Sequence, residues 1–221
     1  MARKIWGVSL AAGLMLFGAP ICHALAQAPR ATIGPISDEL WGYMQGRSWR
    51  TGLPCATRDE LVLMRIPYRD FNGATQMGSL IVARRVAQQG AAIFEEIYAS
   101  GKFRIYQMRL IDEFGGDDDA SIAANNTSGF NCRTTDHGGL SKHALGLAID
   151  INPLQNPYRE GAVTAPEAGR AYDEPGERRP DVTGIILEGD AVTRAFARRG
   201  WSWGGRWIRT IDYQHFFYGG R

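Results

Sequence analysis

The chain has 221 residues, 44% hydrophobic and 22% charged, with 25 Lys and Arg against 23 Asp and Glu. A near-neutral chain has no global pull toward nucleic acid, so no nucleic-acid partner is expected. The length suits one domain with a sizeable core, and no internal repeat is visible.

Met1 to Ala26 reads as a secretory signal. Basic Arg3 and Lys4 precede an apolar run to about Cys22, and Ala24-Leu25-Ala26 forms a small-residue cleavage site. The mature chain would start near Gln27. Losing Arg3 and Lys4 takes the 25 basic residues to 23, against an unchanged 23 acidic ones. No later apolar run is long enough for a membrane helix, so no stable membrane insertion is expected after cleavage. Cys55 and Cys132 then form an even pair in an exported protein, which suggests one disulfide.

Residues 27–60 read as a lead-in. A short helix is expected after Ser37, where Ser caps and Asp38 and Glu39 suit the first turn. Residues 61–221 read as the main domain. Leu61 to Pro67 predicts a strand. Val82, Val86, Ile93, Phe94 and Ile97 recur at helical spacing, predicting a helix over about Ala83–Ala99 that Gly101 ends. Arg104 to Ile111 predicts a strand with Tyr106, Met108 and Leu110 in the core. Asp117-Asp118-Asp119 lacks the alternate ligands and closing Glu of a calcium loop and reads as a solvated loop. Asn125 to Ser128 would either bond a substrate or form turns. Residues 153–184, rich in Pro, Gly and charge, predict a long loop over a cleft. A helix is expected over Asp190–Arg199, ended by Gly200. Trp201, Trp203 and Trp207 would line the cleft or pack the core.

The chemistry concentrates at Ser141-Lys142-His143-Ala144-Leu145-Gly146-Leu147-Ala148-Ile149-Asp150. On a helix, His143 and Asp150 would stand about 10 Å apart along the axis, too far to share a metal. From Leu147 onward, however, the residues alternate as in a strand, and Gly146 permits a bend that folds His143 back toward Asp150. His215 would add a third ligand. Two His nitrogens and one carboxylate leave a fourth zinc position open, the layout of a catalytic site. Asp212, three residues before His215, is placed to act as base on a water. His137 is a competing ligand candidate.

Ser-x-His-x-x-Gly-x-Ala-x-Asp at 141–150, Asp-x-x-His-Phe at 212–216 and Phe130-Asn131-Cys132-Arg133 upstream resemble the zinc D-Ala-D-Ala carboxypeptidase and L-alanyl-D-glutamate endopeptidase superfamily. The resemblance spans roughly the last 150 residues and keeps the order of the motifs. It implies an α+β domain, a small, mainly antiparallel sheet flanked by helices, in the hedgehog-like peptidase fold. It implies one zinc per chain on His143, Asp150 and His215, with Asp212 as general base for a zinc-activated water and Arg133 steadying the oxyanion. It also implies peptidoglycan stem peptides as substrate, in a bacterial periplasm or cell wall. Asp at the base position, where the dipeptidase branch has Glu, bears on which bond is cut. A wall-binding module of the same fold would need neither Asp212 nor Arg133, and a metal-stabilised structural domain would close the fourth position.

Overall fold

The computed structural model describes Met1, residues 29–135 and residues 137–219. The secretory signal expected over Met1–Ala26 lies, Met1 apart, outside the described residues. Among the described residues, no helix is long and apolar enough to cross a membrane. Helices are mixed with small antiparallel sheets, an α+β fold as expected, but the strands form three separate three-stranded sheets rather than one.

The first sheet runs in the order β1 (Thr32–Gly34), β2 (Leu61–Arg69), β3 (Thr75–Ala83), antiparallel throughout. Its β2–β3 hairpin, which the sequence reading did not include, turns on Asp70. That carboxylate accepts from the backbone N–H groups of Asn72 at 3.0 Å and Ala74 at 2.9 Å. Asn72-Gly73 between two apolar runs was the available signal. Strand β3 ends at Ala83, and after a 3-10 turn over Arg84–Val86 a helix begins at Ala87, later in the chain than expected, so Val82 belongs to the strand and not to a helix.

In chain order the helices are α1 (Asp38–Met44), α2 (Ala87–Ser100), α3 (Asp118–Ala123) and α4 (Ala191–Ala197); the delayed helix just described is α2. Helix α1 sits where Ser37 predicted it, with the Ser37 Oγ accepting from Leu40 N at 3.1 Å. Helix α2 buries Ile93, Phe94 and Ile97 against β2, and Gly101 ends it in the left-handed region at φ 65°. Helix α3 corrects the solvated-loop reading of Asp117–Asp119: Asp117 caps it by accepting from Ala120 N at 3.1 Å.

The second sheet has the order β4 (Ala148–Asp150), β9 (His215–Tyr218), β7 (Trp201–Trp203), again antiparallel. Helix α4 covers it, with Phe196 stacked on Phe216 at a centroid distance of 3.9 Å. Trp201 and Trp203 are buried in this same core rather than lining a cleft. The third sheet, β6 (Val163–Ala165), β5 (Tyr158–Glu160), β8 (Thr210–Asp212), corrects the long-loop reading of residues 153–184. That stretch contributes two strands and a 3-10 turn at Glu167–Tyr172. Tyr158 pairs with Asp212, so the segment is tied to the strand that carries the candidate base.

No regular strand forms over Arg104–Ile111. Its backbone groups bond to scattered partners instead: Ile105 N to Arg69 O at 2.9 Å, Tyr106 N to Asn152 Oδ1 at 2.9 Å and Arg109 N to Asn126 Oδ1 at 2.9 Å. Ile105 and Met108 are buried, while Tyr106 is 51% exposed. Asn126 therefore acts as scaffold.

The Cys55–Cys132 disulfide is formed, with Cα atoms 5.6 Å apart. It fastens the lead-in to the Phe130–Arg133 stretch through a second core of Ile36, Met44, Leu61, Ile81 and Phe130. A cross-link across 77 residues of chain removes loop entropy equivalent to roughly 4.5 kcal/mol at most in the chain-entropy model. The double variant Cys55→Ser/Cys132→Ser should therefore lose about 2–4 kcal/mol in denaturant unfolding. An unchanged midpoint would show that the bridge does not hold the lead-in in place.

Candidate metal centre

The centre is built on a strand register. In β4 and β9, Asp150 stands directly opposite His215, Ile149 opposite Phe216 and Ala148 opposite Phe217. Opposed residues of an antiparallel pair put their side chains on one face with Cβ atoms about 5 Å apart. The Asp150 Oδ1 and His215 Nδ1 accordingly lie 2.9 Å apart.

His143 reaches the same point from a 3-10 turn, His143–Leu145, just before β4. Ser141 Oγ accepts from the His143 backbone N–H at 3.2 Å. Gly146 then reverses the chain at φ 64°, where an added Cβ would meet Ala83 N at 2.4 Å. Both the left-handed backbone and the close approach require glycine here. The bend brings His143 Nε2 to 3.1 Å from Asp150 Oδ2 and 3.2 Å from His215 Nδ1.

The other edge of β4 supplies the orienting partner. Ser128 and Asp150 exchange backbone hydrogen bonds at 2.9 and 3.0 Å, which carries the next carbonyl, Gly129, to 2.6 Å from His143 Nδ1. A carbonyl only accepts, so Nδ1 carries the hydrogen and the Nε2 lone pair faces Asp150 and His215. A buried ring with its remote nitrogen held by a carbonyl and its near nitrogen aimed at other donors is the arrangement of a metal-bound histidine.

His143, Asp150 and His215 are all buried, and one ligand atom from each lies within 4.8 Å of the others. Two donors on a tetrahedral zinc at ~2.0–2.1 Å would stand about 3.3 Å apart, close to the separations present here. The donor set thus fits zinc in type and spacing. Electrostatics point the same way. Burial opposes charge on His143, but Asp150 raises its proton affinity above the ordinary histidine value. Burial would likewise raise the Asp150 carboxyl, but His143 and His215 hold it well below the usual carboxylate range. The cluster needs a positive charge at its centre, whether a proton or a metal ion.

Asp212 behaves oppositely. Its residue keeps some exposed surface, but its Oδ1 is buried and takes no hydrogen bond from the protein. Desolvation, reinforced by the negative charge of Asp150, pushes its carboxyl up to about 6 against the pull of the two histidines. Gly204 backs this corner: an added Cβ would lie 2.7 Å from Asp212 O and 3.4 Å from His215 Cβ. Trp207, half-buried, stands 5.7 Å from the His215 ring and 5.6 Å from Phe217 by centroids, walling one side.

Arg133 lies on the stretch beside β4, where Ser141 N donates to its carbonyl at 3.1 Å. Its guanidinium is engaged by Asp118 at 2.7 Å, a partner the sequence reading left in a solvated loop. The charges of both are felt at His143. His137 is not brought to the cluster. Its side chain is 72% exposed and sits 3.7 Å from Glu160.

Zinc added to metal-free protein should bind at one equivalent and raise the thermal midpoint, by about 2.7 kcal/mol of stability at 100-fold excess over the dissociation constant. Asp150→Ala and His215→Ala should each lose most of that binding in calorimetric titration. Stoichiometric zinc retained by both variants would rule out this cluster as the site.

No curated protein and no solved structure matches the chain. Residues 134–218 match the family model described as D-alanyl-D-alanine carboxypeptidase. That segment carries His143, Asp150, Asp212 and His215, so the chain's likeness to the D-alanyl-D-alanine carboxypeptidase family of peptidases holds over the part that builds this centre.

Proposed function

We propose that the protein is an exported zinc metallopeptidase that hydrolyses peptide bonds in peptidoglycan stem peptides, in the periplasm or cell wall of a bacterium. The observation that carries this reading is the buried His143–Asp150–His215 cluster beside Asp212, inside the segment that matches the peptidase family. The Cys55–Cys132 disulfide supports export, because such bridges persist in oxidising compartments. The three small sheets and their helices are read as a variant of the hedgehog-like peptidase fold. Nucleic acid and membrane have no part in the proposal.

His143 Nε2, His215 Nδ1 and an oxygen of Asp150 would hold the zinc. When bound, the ion supplies Lewis acidity, polarising a carbonyl oxygen and making water a stronger acid. The chain's own groups supply the rest. Asp212, desolvated and close to neutral in affinity for a proton, takes one proton from the attacking water and delivers it to the departing amine as the C–N bond breaks. Arg133 donates to the former carbonyl oxygen as negative charge develops there. His143 keeps its Nδ1 hydrogen on Gly129, so its near nitrogen stays a donor of electrons throughout.

Pentapeptide muropeptides incubated with the protein should give zinc-dependent, chelator-sensitive products by mass spectrometry. Loss of the last alanine would identify a carboxypeptidase and cleavage beside the first alanine an endopeptidase. No product would favour a wall-binding module of the same fold. Asp212→Ala should keep zinc at one equivalent while turnover falls by about 10²–10⁴-fold. A fully active variant would remove Asp212 from the role of base.

A further inference from the structure

Asp118 stands in the first turn of α3, held there by the Asp117 cap. Its two oxygens are divided between two neighbours of the cluster. Oδ2 lies 2.7 Å from Arg133 Nη2, and Oδ1 accepts from Asn131 Nδ2 at 3.4 Å. Asn131 is 1% exposed, and its backbone N–H donates to the His143 carbonyl at 3.2 Å. Two polar atoms are left over. Asn131 Oδ1 and Arg133 Nε are buried and have no hydrogen-bond partner in the protein.

An amide whose NH2 group is directed at a carboxylate turns its oxygen the other way. With Arg133 Nη2 taken by Asp118 and Nη1 donating to Thr134 O at 3.4 Å, Nε is the part of the fork left for another acceptor. The pair thus presents an acceptor, Asn131 Oδ1, and a donor, Arg133 Nε, complementary to the N–H and C=O of a peptide unit. Buried polar atoms without partners are rare in folded proteins and call for an explanation, and a peptide substrate provides both missing partners.

We propose that Asp118 is a positioning residue that orients Arg133 and Asn131 as a matched donor and acceptor for the backbone of the substrate peptide beside the metal centre. This rests on the peptidase reading above. The Arg133 and Asp118 side chains, 28% and 26% exposed, keep partial contact with solvent, and Asp118→Asn keeps the side chain's shape and an oxygen for Asn131, so that substitution does not strand a fully buried charge. The effect of removing Asp118 should therefore appear in turnover and not in unfolding.

The test compares zinc-loaded wild type, Asp118→Asn, Arg133→Ala and the double variant on the muropeptide that the wild type cleaves. Asp118→Asn should keep one zinc and a thermal midpoint within a few degrees of wild type, with kcat/KM down about 10–100-fold, mostly in kcat. In the Arg133→Ala background the same substitution should cost several-fold less than in the wild type, the remainder being the share that acts through Asn131. Asp118→Glu, which keeps the charge, should recover part of the loss. Wild-type kcat/KM in Asp118→Asn, a full additive loss in the double variant, loss of zinc or a collapse of the midpoint would each overturn the proposal. The wild type's own turnover reports separately on the peptidase reading. An inactive wild type would overturn that reading, and this role with it.

Discussion

The pairing of β4 with β9 places Asp150 directly across from His215, and the centre exists only in that register. A slip of one residue would put Phe216 or Gln214 opposite Asp150 and turn every side chain of β9 to the other face. The register is pinned from behind. Phe216 is fully buried, stacked on Phe196 at 3.9 Å and facing Trp203 at 6.3 Å. Drawing it out of that aromatic core would cost on the order of 2–3 kcal/mol of transfer free energy before any cavity is counted. The aromatic packing that looks purely structural is thus what fixes the polar geometry on the opposite face.

That polar geometry is costly in its own right. A carboxylate and two imidazoles share a buried space, with His143 Nε2 3.1 Å from Asp150 and 3.2 Å from His215. Burying a charge is tolerated where an opposite charge and well-formed hydrogen bonds compensate it. The Gly129 carbonyl compensates one face of His143, and a cation held by the cluster would compensate the other. The surrounding fold holds the cluster from several directions: Gly146 lets the His143 turn lie against β3, and the disulfide anchors the Phe130–Arg133 stretch. Arg178 serves a similar purpose for the segment between Pro153 and Gly184. Its half-buried guanidinium donates to Gln155 O, Tyr172 O, Asn156 Oδ1 and Ile186 O, and lies 3.6 Å from the Tyr213 ring centroid. It therefore ties that segment to the residue next to Asp212.

What the sequence revealed follows from which features are local. The alternation after Leu147, the bend at Gly146, the cap at Ser37 and the spacing of Ile93, Phe94 and Ile97 all act within a few residues, and each has its counterpart in the structure. The expected strand at Arg104–Ile111 failed because its partners are side-chain amides of Asn126 and Asn152, which no periodicity announces. Asp118 was unreadable for a related reason. Its meaning comes from Arg133 and Asn131, more than a dozen residues away and on another segment. The strands within residues 153–184 are three residues each, too short for alternation to register against the Pro and Gly around them.

Asp150 and Asp212 show how one small site can give two carboxylates different environments. They are opposed in environment: Asp150 is held ionised between two imidazoles, while Asp212 is pushed up to about 6 by burial, with the charge of Asp150 adding to the shift. Groups whose surroundings drive their proton affinities apart divide the tasks of charge and proton transfer between them. The chain achieves the separation topologically. Asp212 ends β8, paired to Tyr158 in the third sheet, whereas His215 begins β9 in the second. Only Tyr213 and Gln214 join them, so Asp212 and His215 are neighbours in sequence but belong to different sheets. His215 is fixed by the aromatic core, and Asp212 by the segment that Arg178 secures. The third sheet, through the Tyr158–Asp212 pairing, thus sets the position of Asp212, while the second sheet sets that of Asp150 and His215.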